Sequence, residues 1–484
     1  MENLISEFVH NQLSRAPILL QNYIKDEQGN SYLTRSIFIR VEKYLNEFLN
    51  RGQEIRLIAI PGLRGVGKTT LLAQLYMKLL KNDAANLFFI SVDQIVNILD
   101  SNLSAVLEEY EKFLGTSFEG LTKKTIIFID EIHFDKKWPS VLKSLYDRAK
   151  NIFVVCTGSS ALSLQSTPDL ARRMIIEKLY PLNFTEYMLL KSKYLASANQ
   201  YRKTKYPIFG LKDKIKSALF YQNDAVSSFE ILKSLQNEVD NYWSNIDKLE
   251  ISSFLRFGTM PYALKINDEQ KLHVLTNQLI DKVATKDLLE YANFEVETIE
   301  FVKNIMLLLS GSSEISITRL TKTISNISTN TLINIFEALE KAEILIRVYP
   351  YGNVYRKVRK PSKYHFMTPA IRHALLTIVE GERTFENNKG KYLEDIVALI
   401  LYREFKERLT SPIFYDSSQG GADFILKLNK TKIALEIGFG EKGVKQAGFT
   451  LQNIGGTYGL VISDDPLDIV NNIIKVPLQY FLLM

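Results

Sequence analysis

Gly62-Leu-Arg-Gly-Val-Gly-Lys-Thr-Thr70 is the stretch on which the reading of this chain turns. It fills the pattern Gly-x4-Gly-Lys-[Ser/Thr] with Gly62, Gly67, Lys68 and Thr69. Before it, Ile55-Arg-Leu-Ile-Ala-Ile60 reads as a short buried strand. After it, Thr70–Leu80 carries apolar side chains at helical spacing. Strand, glycine turn and helix is the context the pattern requires. Glycines let the backbone curl so that successive N–H groups face one concavity. The helix that follows adds the positive end of its dipole. The loop therefore reads as a nucleotide phosphate cradle made by Gly62, Leu63, Arg64, Gly65, Val66, Gly67, Lys68, Thr69 and Thr70. Lys68 would reach the β/γ-phosphates of ATP, and the Thr69 hydroxyl would hold Mg²⁺.

Such a cradle needs an acidic partner on a neighbouring strand. Thr125-Ile-Ile-Phe-Ile-Asp-Glu131 supplies it, its apolar run suiting a strand buried on both faces of a parallel sheet. Asp130 then emerges at the carboxyl end, where open α/β sheets bind ligands, and would hold Mg²⁺. Glu131 would polarise the attacking water. A third strand, Ile152-Phe-Val-Val-Cys-Thr-Gly-Ser-Ser160, runs into small hydroxyl residues. Ser159 is the first choice to contact the γ-phosphate or the water, with Thr157 and Ser160 next. The competing reading is that these hydroxyls cap the following helix. Arg172 and Arg173 are candidates for an arginine that stabilises transition-state charge, in cis or from a second subunit. An exposed basic helix face explains them equally well.

The succession "GLRGVGKTTLLAQL", "TIIFIDEIH", "VVCTGSSALSL" and "LYPLNFTEYMLL" resembles the archaeal-type P-loop ATPases of the AAA+/STAND group. Arg64 in the loop and the Pro-Leu-x-Phe-x-Glu segment at Pro181–Glu186 belong to the resemblance, which is specific over residues 55–190. It implies an α/β P-loop core with a parallel sheet, a helical lid, then a winged helix and a small restriction-endonuclease-like α/β domain. The expected segments are 1–53 (N-terminal helices), 54–190 (ATPase core), 191–300 (lid and linker), 301–380 (winged helix) and 381–484 (nuclease-like).

Composition bounds the remaining classes. The 484 residues are 46% hydrophobic and 24% charged, as for a soluble globular chain of several domains. No run of about 20 apolar residues indicates a membrane span, and Met-Glu-Asn-Leu-Ile-Ser-Glu lacks the layout of a secretory leader. A single cysteine, Cys156, rules out an internal disulfide framework and fits a reducing cytoplasm. It sits in an apolar strand and reads as a small core hydrophobe. Five histidines show no metal-binding spacing.

Two C-terminal patterns carry further chemistry. Ser316–Thr323 and Asn330–Lys341 read as helices, and Ile344–Tyr349 with Val354–Val358 as a hairpin, the winged-helix plan. Residues 301–380 hold 11 Lys/Arg against 5 Asp/Glu, so their excess of 6 equals the net charge of the whole chain. Arg347, Arg356, Lys357, Arg359, Lys360 and Lys363 gather on and after the hairpin and would contact duplex phosphates without reading sequence. The recognition helix has no arginine, which leaves protein binding open as an alternative.

The last segment resembles the PD-(D/E)xK nuclease fold. Glu394 lies on a helix, Asp423 heads a strand, and Glu436 lies on the next. The resemblance implies that Asp423 and Glu436 share a second divalent metal. Gly438 stands where the motif has lysine, with Lys442 and Lys445 further on. The expectation is a nuclease-like fold with little or no cleavage. The whole reads as an ATP/ADP-binding and hydrolysing switch acting on double-stranded DNA, with no membrane partner. An ATP-gated nuclease is one alternative. A signalling scaffold with slow turnover, binding a second copy or another protein, is the other.

Overall fold

The computed structural model describes residues 2–26, 29–52, 55–81, 84–158, 170, 172–191, 210–288, 296–312, 314–315, 317, 320–321, 324, 327–353, 360–405, 412–429 and 431–484. Its contacts divide the chain into two units, Met1–Tyr180 and Pro181–Met484.

The first unit is built on five parallel strands: β1 (Leu57–Pro61), β2 (Asn86–Ser91), β3 (Thr125–Asp130), β4 (Ile152–Gly158) and β5 (Met174–Ile176). Their order across the sheet is β2-β3-β4-β1-β5. Every residue of β1, β3 and β4 is buried, as their apolar runs require of strands covered on both faces. Ile126, Ile127, Phe128 and Ile129 are fully buried, each contributing about 1.5–3 kcal/mol of transfer free energy. The helices are α1 (Glu2–Ile24), α2 (Ser36–Arg51), α3 (Lys68–Leu80), α4 (Val92–Asn97), α5 (Leu103–Leu114) and α6 (Trp138–Arg148). Val9 of α1, Val106 and Tyr110 of α5 and Leu142 of α6 close over Ile127, Val154 and Cys156.

The N-terminal helices expected over residues 1–53 lie in this unit as α1 and α2. Helix α2 ends at Gly52, in the left-handed region, whose N–H bonds back to Phe48 O. Arg40 Nε (2.9 Å) and Tyr44 Oη (3.3 Å) both reach the Glu177 carboxylate just beyond β5. Cys156 is fully enclosed, and burial pushes its thiol up to about 12. It is therefore expected not to react with a disulfide-exchange reagent at pH 8 until denaturant is added. Rapid labelling of the native protein would refute this.

In the second unit, nine strands form one sheet. The strands are β6 (Glu314–Ile315), β7 (Leu345–Pro350), β8 (Ser362–Phe366), β9 (Ile413–Tyr415), β10 (Phe424–Leu428), β11 (Thr431–Ile437), β12 (Tyr458–Ser463), β13 (Asp468–Val470) and β14 (Ile473–Pro477). Their order is β13-β14-β12-β11-β10-β9-β7-β8-β6. The expected boundary at 380/381 does not divide it, because β7 pairs parallel with β9 through Tyr349↔Phe414 and Pro350↔Tyr415. The helices used below are α7 (Glu269–Lys282), α8 (Thr329–Lys341), α9 (Pro369–Glu380), α10 (Thr384–Phe405) and α11 (Lys445–Ile454). Helix α8 agrees with the sequence pattern and is capped by Ser328, whose Oγ accepts from Thr331 N at 3.0 Å. Among the described residues, β7 pairs antiparallel with β8, from Leu345↔Phe366 to Val348↔Lys363. Residues 354–359 lie outside the described residues, as does much of Ser316–Thr323. Among the described residues no helix is long and apolar enough to cross a membrane.

Candidate functional site

The loop after β1 turns on two glycines in the left-handed region, Gly65 (φ 84°) and Gly67 (φ 96°). Gly62 is required for a different reason. A Cβ there would stand 2.3 Å from Leu179 O, so only glycine lets the loop lie against the chain leaving β5. Leu63 and Val66 are buried anchors, while Arg64 and Thr70 are half-buried. Lys68 opens α3 and is itself buried, its Nζ donating to Gly62 O (2.9 Å) and Leu63 O (3.2 Å). The ammonium is thus held across the mouth of the loop.

Asp130 is the last residue of β3. Because β4 lies between β1 and β3, Asp130 reaches the loop across a strand. Thr69 Oγ1 donates to Asp130 Oδ2 at 2.7 Å, and Thr157 Oγ1 donates to Asp130 Oδ1. Thr157 Oγ1 also accepts from Glu131 N at 3.2 Å. Burial, then the Glu131 charge, push the Asp130 carboxyl up; bonds from Thr157 and Thr69 and the Lys68 charge oppose them. Glu131 is in the left-handed region (φ 52°, ψ 45°), which costs a residue with a side chain about 1–2 kcal/mol. The Thr157 bond to its N–H helps hold that turn.

Thr157, ranked behind Ser159 on sequence, is the hydroxyl residue joined to both acids. Ser159 and Ser160 lie outside the described residues. Thr157→Val keeps the shape and strands two buried polar groups, at about 1–3 kcal/mol each. It is expected to lower nucleotide turnover roughly tenfold, with Thr157→Ser restoring it. Unchanged turnover in the Val variant would remove Thr157 from the site. Arg173 is engaged elsewhere: Nε and Nη2 contact Asp147 of α6 at 3.0 and 3.4 Å. Arg172 is exposed.

Arg35 had no signal in the sequence. It precedes α2 and caps nothing with its side chain. Its Nη1 instead donates to Val66 O in the loop (3.1 Å) and its Nη2 to Tyr180 O (2.8 Å). One guanidinium therefore links the phosphate loop to the last residue of the first unit.

In the second unit, Glu394, Asp423 and Glu436 come within electrostatic reach of one another. Burial, then the Asp423 charge, push the Glu394 carboxyl up to about 7, and Glu436 is raised by the same two causes. Oε2 of Glu394 and Oε2 of Glu436 are buried without a hydrogen bond. Asp423 Oδ2 accepts from Ile437 N at 3.0 Å, and Lys363 Nζ lies 3.4 Å from its Oδ1. A lysine does reach Glu436, from position 442. Lys442 Nζ donates to Glu436 Oε1 at 2.8 Å, and a Cβ at Gly438 would meet Lys442 Cε at 2.1 Å. Gly438 leaves room for a lysine arriving from four residues downstream. Lys445, at the start of α11, is exposed.

Two of the six basic residues expected to contact a duplex are engaged elsewhere. Lys363 belongs to the carboxylate cluster. Arg347 is clasped by Ser362 Oγ (3.1 Å) and by the rings of Tyr349 (4.6 Å) and Tyr364 (5.8 Å). Lys360 is exposed, and Arg356, Lys357 and Arg359 lie outside the described residues.

Residues 54–188 match the family described as an AAA domain, and residues 249–382 match a domain of unknown function, DUF8612. The uncharacterized protein MJ1637 of Methanocaldococcus jannaschii is 32% identical over 487 residues, covering 99% of this chain and 94% of that protein. MJ1544 of the same organism is 24% identical over 419 residues, covering 82% of each. Among solved structures, the Walker-type ATPase PABY2304 of Pyrococcus abyssi matches with a TM-score of 0.38 and 14% identity, over 72% of this chain and 97% of that one. The Aeropyrum pernix Orc1 protein in complex with DNA matches at 0.33 and 13%, over 74% and 95%. Likenesses this low leave the chemistry to be argued from the chain's own residues.

Proposed function

From a chain that belongs to the family of MJ1637 and carries an AAA domain at residues 54–188, we propose an ATP-hydrolysing switch that acts on DNA in the cytoplasm. The observation that carries the hydrolytic reading is the convergence of Thr69, Thr157 and Glu131 N–H around Asp130, beside a buried Lys68. Lys68 would bind the β/γ-phosphates. Thr69 and Asp130, a hydroxyl and a buried carboxylate 2.7 Å apart, fit a hard Mg²⁺ ion. Bound there, Mg²⁺ neutralises phosphate charge. Glu131 would orient water, and Arg172, the arginine not engaged with Asp147, is the candidate finger.

Arg35 supports the switch. A phosphate that reshapes the loop also loads the Val66–Arg35–Tyr180 link, and so the point where the chain leaves the ATPase unit. The basic excess of residues 301–380 and the helix-plus-hairpin of α8, β7 and β8 support the DNA partner. Of the expected basic set, Arg356, Lys357, Arg359 and Lys360 are the cations proposed to contact phosphates. Duplex affinity should then fall with salt on a log–log slope of about −4, near −0.9 per contact.

The test is ATP hydrolysis by wild type and Glu131→Gln, with and without duplex DNA. Several-fold stimulation of wild type by DNA, with a variant that binds ATP but does not hydrolyse it, upholds the proposal. Slow turnover indifferent to DNA would replace it with the scaffold reading.

A second reading is favoured by one observation, the position of Lys442. Asp423 and Glu436 fit a divalent metal, since Glu436 keeps a buried oxygen without a hydrogen bond. Lys442 would orient the attacking water beside them. Mg²⁺- or Mn²⁺-dependent plasmid cleavage, lost in Asp423→Ala and reduced in Lys442→Ala, would establish a nuclease. Absence of cleavage by wild type would leave the cluster a structural one.

A further inference from the structure

A separate constellation lies on helices that neither site uses. Glu269 and His273 are four residues apart on α7 and so share a face. His373 projects from α9, which packs against α7. One ligand-capable atom from each of the three lies within 4.8 Å of the others. We propose that Glu269, His273 and His373 hold a divalent transition-metal ion, Zn²⁺ foremost.

The donor set is the first argument. Two imidazole nitrogens and one carboxylate oxygen make a three-ligand zinc set with an open position, and they discriminate against Mg²⁺ and Ca²⁺, which take oxygen. The spacing is the second. Two ligands each 2.0–2.1 Å from a tetrahedral zinc stand roughly 3.4 Å apart. His373 Nε2 and Glu269 Oε1 are 3.2 Å apart.

Outer contacts supply the third. Tyr392 Oη, on α10, lies 2.8 Å from His373 Nδ1 and can accept a hydrogen bond from the proton on that nitrogen, which leaves Nε2 as the ligating nitrogen. Arg256 Nη1 holds the other Glu269 oxygen, Oε2, at 2.7 Å, so Oε1 is the one left for the ion. Phe257 lies edge-on to both imidazoles, with centroids 5.0 and 4.9 Å away. Arg256 and Phe257 come from a π-helical turn, Phe254–Gly258, a distortion that recurs at functional sites. Glu269 also lines a cavity of ≈ 130 Å³ with Tyr187, Lys191 and Arg256, which provides a way in.

All three residues fall within the DUF8612 match, residues 249–382. The plain alternative is a Glu269–His373 hydrogen bond with His273 packed beside it, and it predicts no metal affinity. The test uses metal-stripped full-length protein titrated with Zn²⁺ against a chromophoric chelator, and with Co²⁺ read by its visible ligand-field bands. One equivalent of Zn²⁺ per chain is expected. Glu269→Gln and His273→Gln should each weaken binding at least tenfold, Tyr392→Phe about tenfold, and Asp423→Ala not at all. Zn²⁺ should raise the melting temperature of wild type but not of His273→Gln, a half-buried position chosen so that the fold survives. No stoichiometric binding, or equal affinity in wild type and both ligand variants, overturns the proposal. Loss of binding in Asp423→Ala alone would assign the metal to the carboxylate cluster and overturn it equally.

Discussion

Lys68→Ala is expected to weaken ATP binding by roughly a hundredfold or more and to reduce hydrolysis to background. The side chain is buried at the start of α3, and its ammonium already bridges two loop carbonyls. A phosphate entering the loop exchanges those neutral acceptors for charged ones. Hydrogen bonds to charged groups contribute about 1.5–3 kcal/mol each, and two of them amount to a hundredfold or more in affinity. Fluorescent nucleotide binding and phosphate release would be read in parallel with Glu131→Gln. The two variants should separate: Lys68→Ala fails to bind, while Glu131→Gln binds and fails to turn over. Nucleotide affinity in Lys68→Ala within threefold of wild type would mean that the loop is not the phosphate site.

Arg372→Ala is expected to destabilise the second unit by about 3–5 kcal/mol, the cost of leaving a buried ion without its partner. Arg372 and Asp395 are both fully buried. Arg372 Nε and Nη2 meet Asp395 Oδ2 and Oδ1 at 2.6 and 2.7 Å, and Nη1 donates to Leu309 O and Ser310 O. Asp395 Oδ1 also accepts from Phe366 N at 3.0 Å. This one pair therefore joins α9, α10, β8 and the end of the helix Val296–Gly311. It also fixes the helix that presents Glu394. Hydrogen exchange resolves the two units separately, and protection should fall in residues 181–484 while that of the P-loop unit persists. Arg372→Met with Asp395→Leu should recover much of the loss, because an apolar pair leaves no buried charge. A single variant as stable as wild type would show the pair to be dispensable.

The parts of this protein legible in its sequence are those written in contiguous residues. Gly62–Thr70, Thr125–Glu131 and Ile152–Thr157 each announce a buried strand ending in polar chemistry, because alternation disappears when both faces of a strand are covered. Helix α3 follows from the apolar spacing of Thr70–Leu80, and α8 from periodicity and its Ser328 cap.

What the sequence could not rank were residues whose partners are remote along the chain. Thr157 was one hydroxyl among several until strand order put β4 between the loop and Asp130. Arg35 has no local signature, because its two acceptors lie 31 and 145 residues away. Lys363, counted with the wing, is turned into the carboxylate cluster by the β7–β8 register, and the β7–β9 ladder runs the two expected C-terminal domains into one sheet. Lys442 reaches Glu436 only because a glycine at 438 leaves its side chain a path. The sequence by itself determined the nucleotide cradle and its acidic strand, since backbone curvature, dipole and charge there are properties of adjacent residues. Only the tertiary structure decided which hydroxyl, which arginine and which lysine stand beside each candidate site, because those placements depend on strand order, register and the space a missing Cβ leaves.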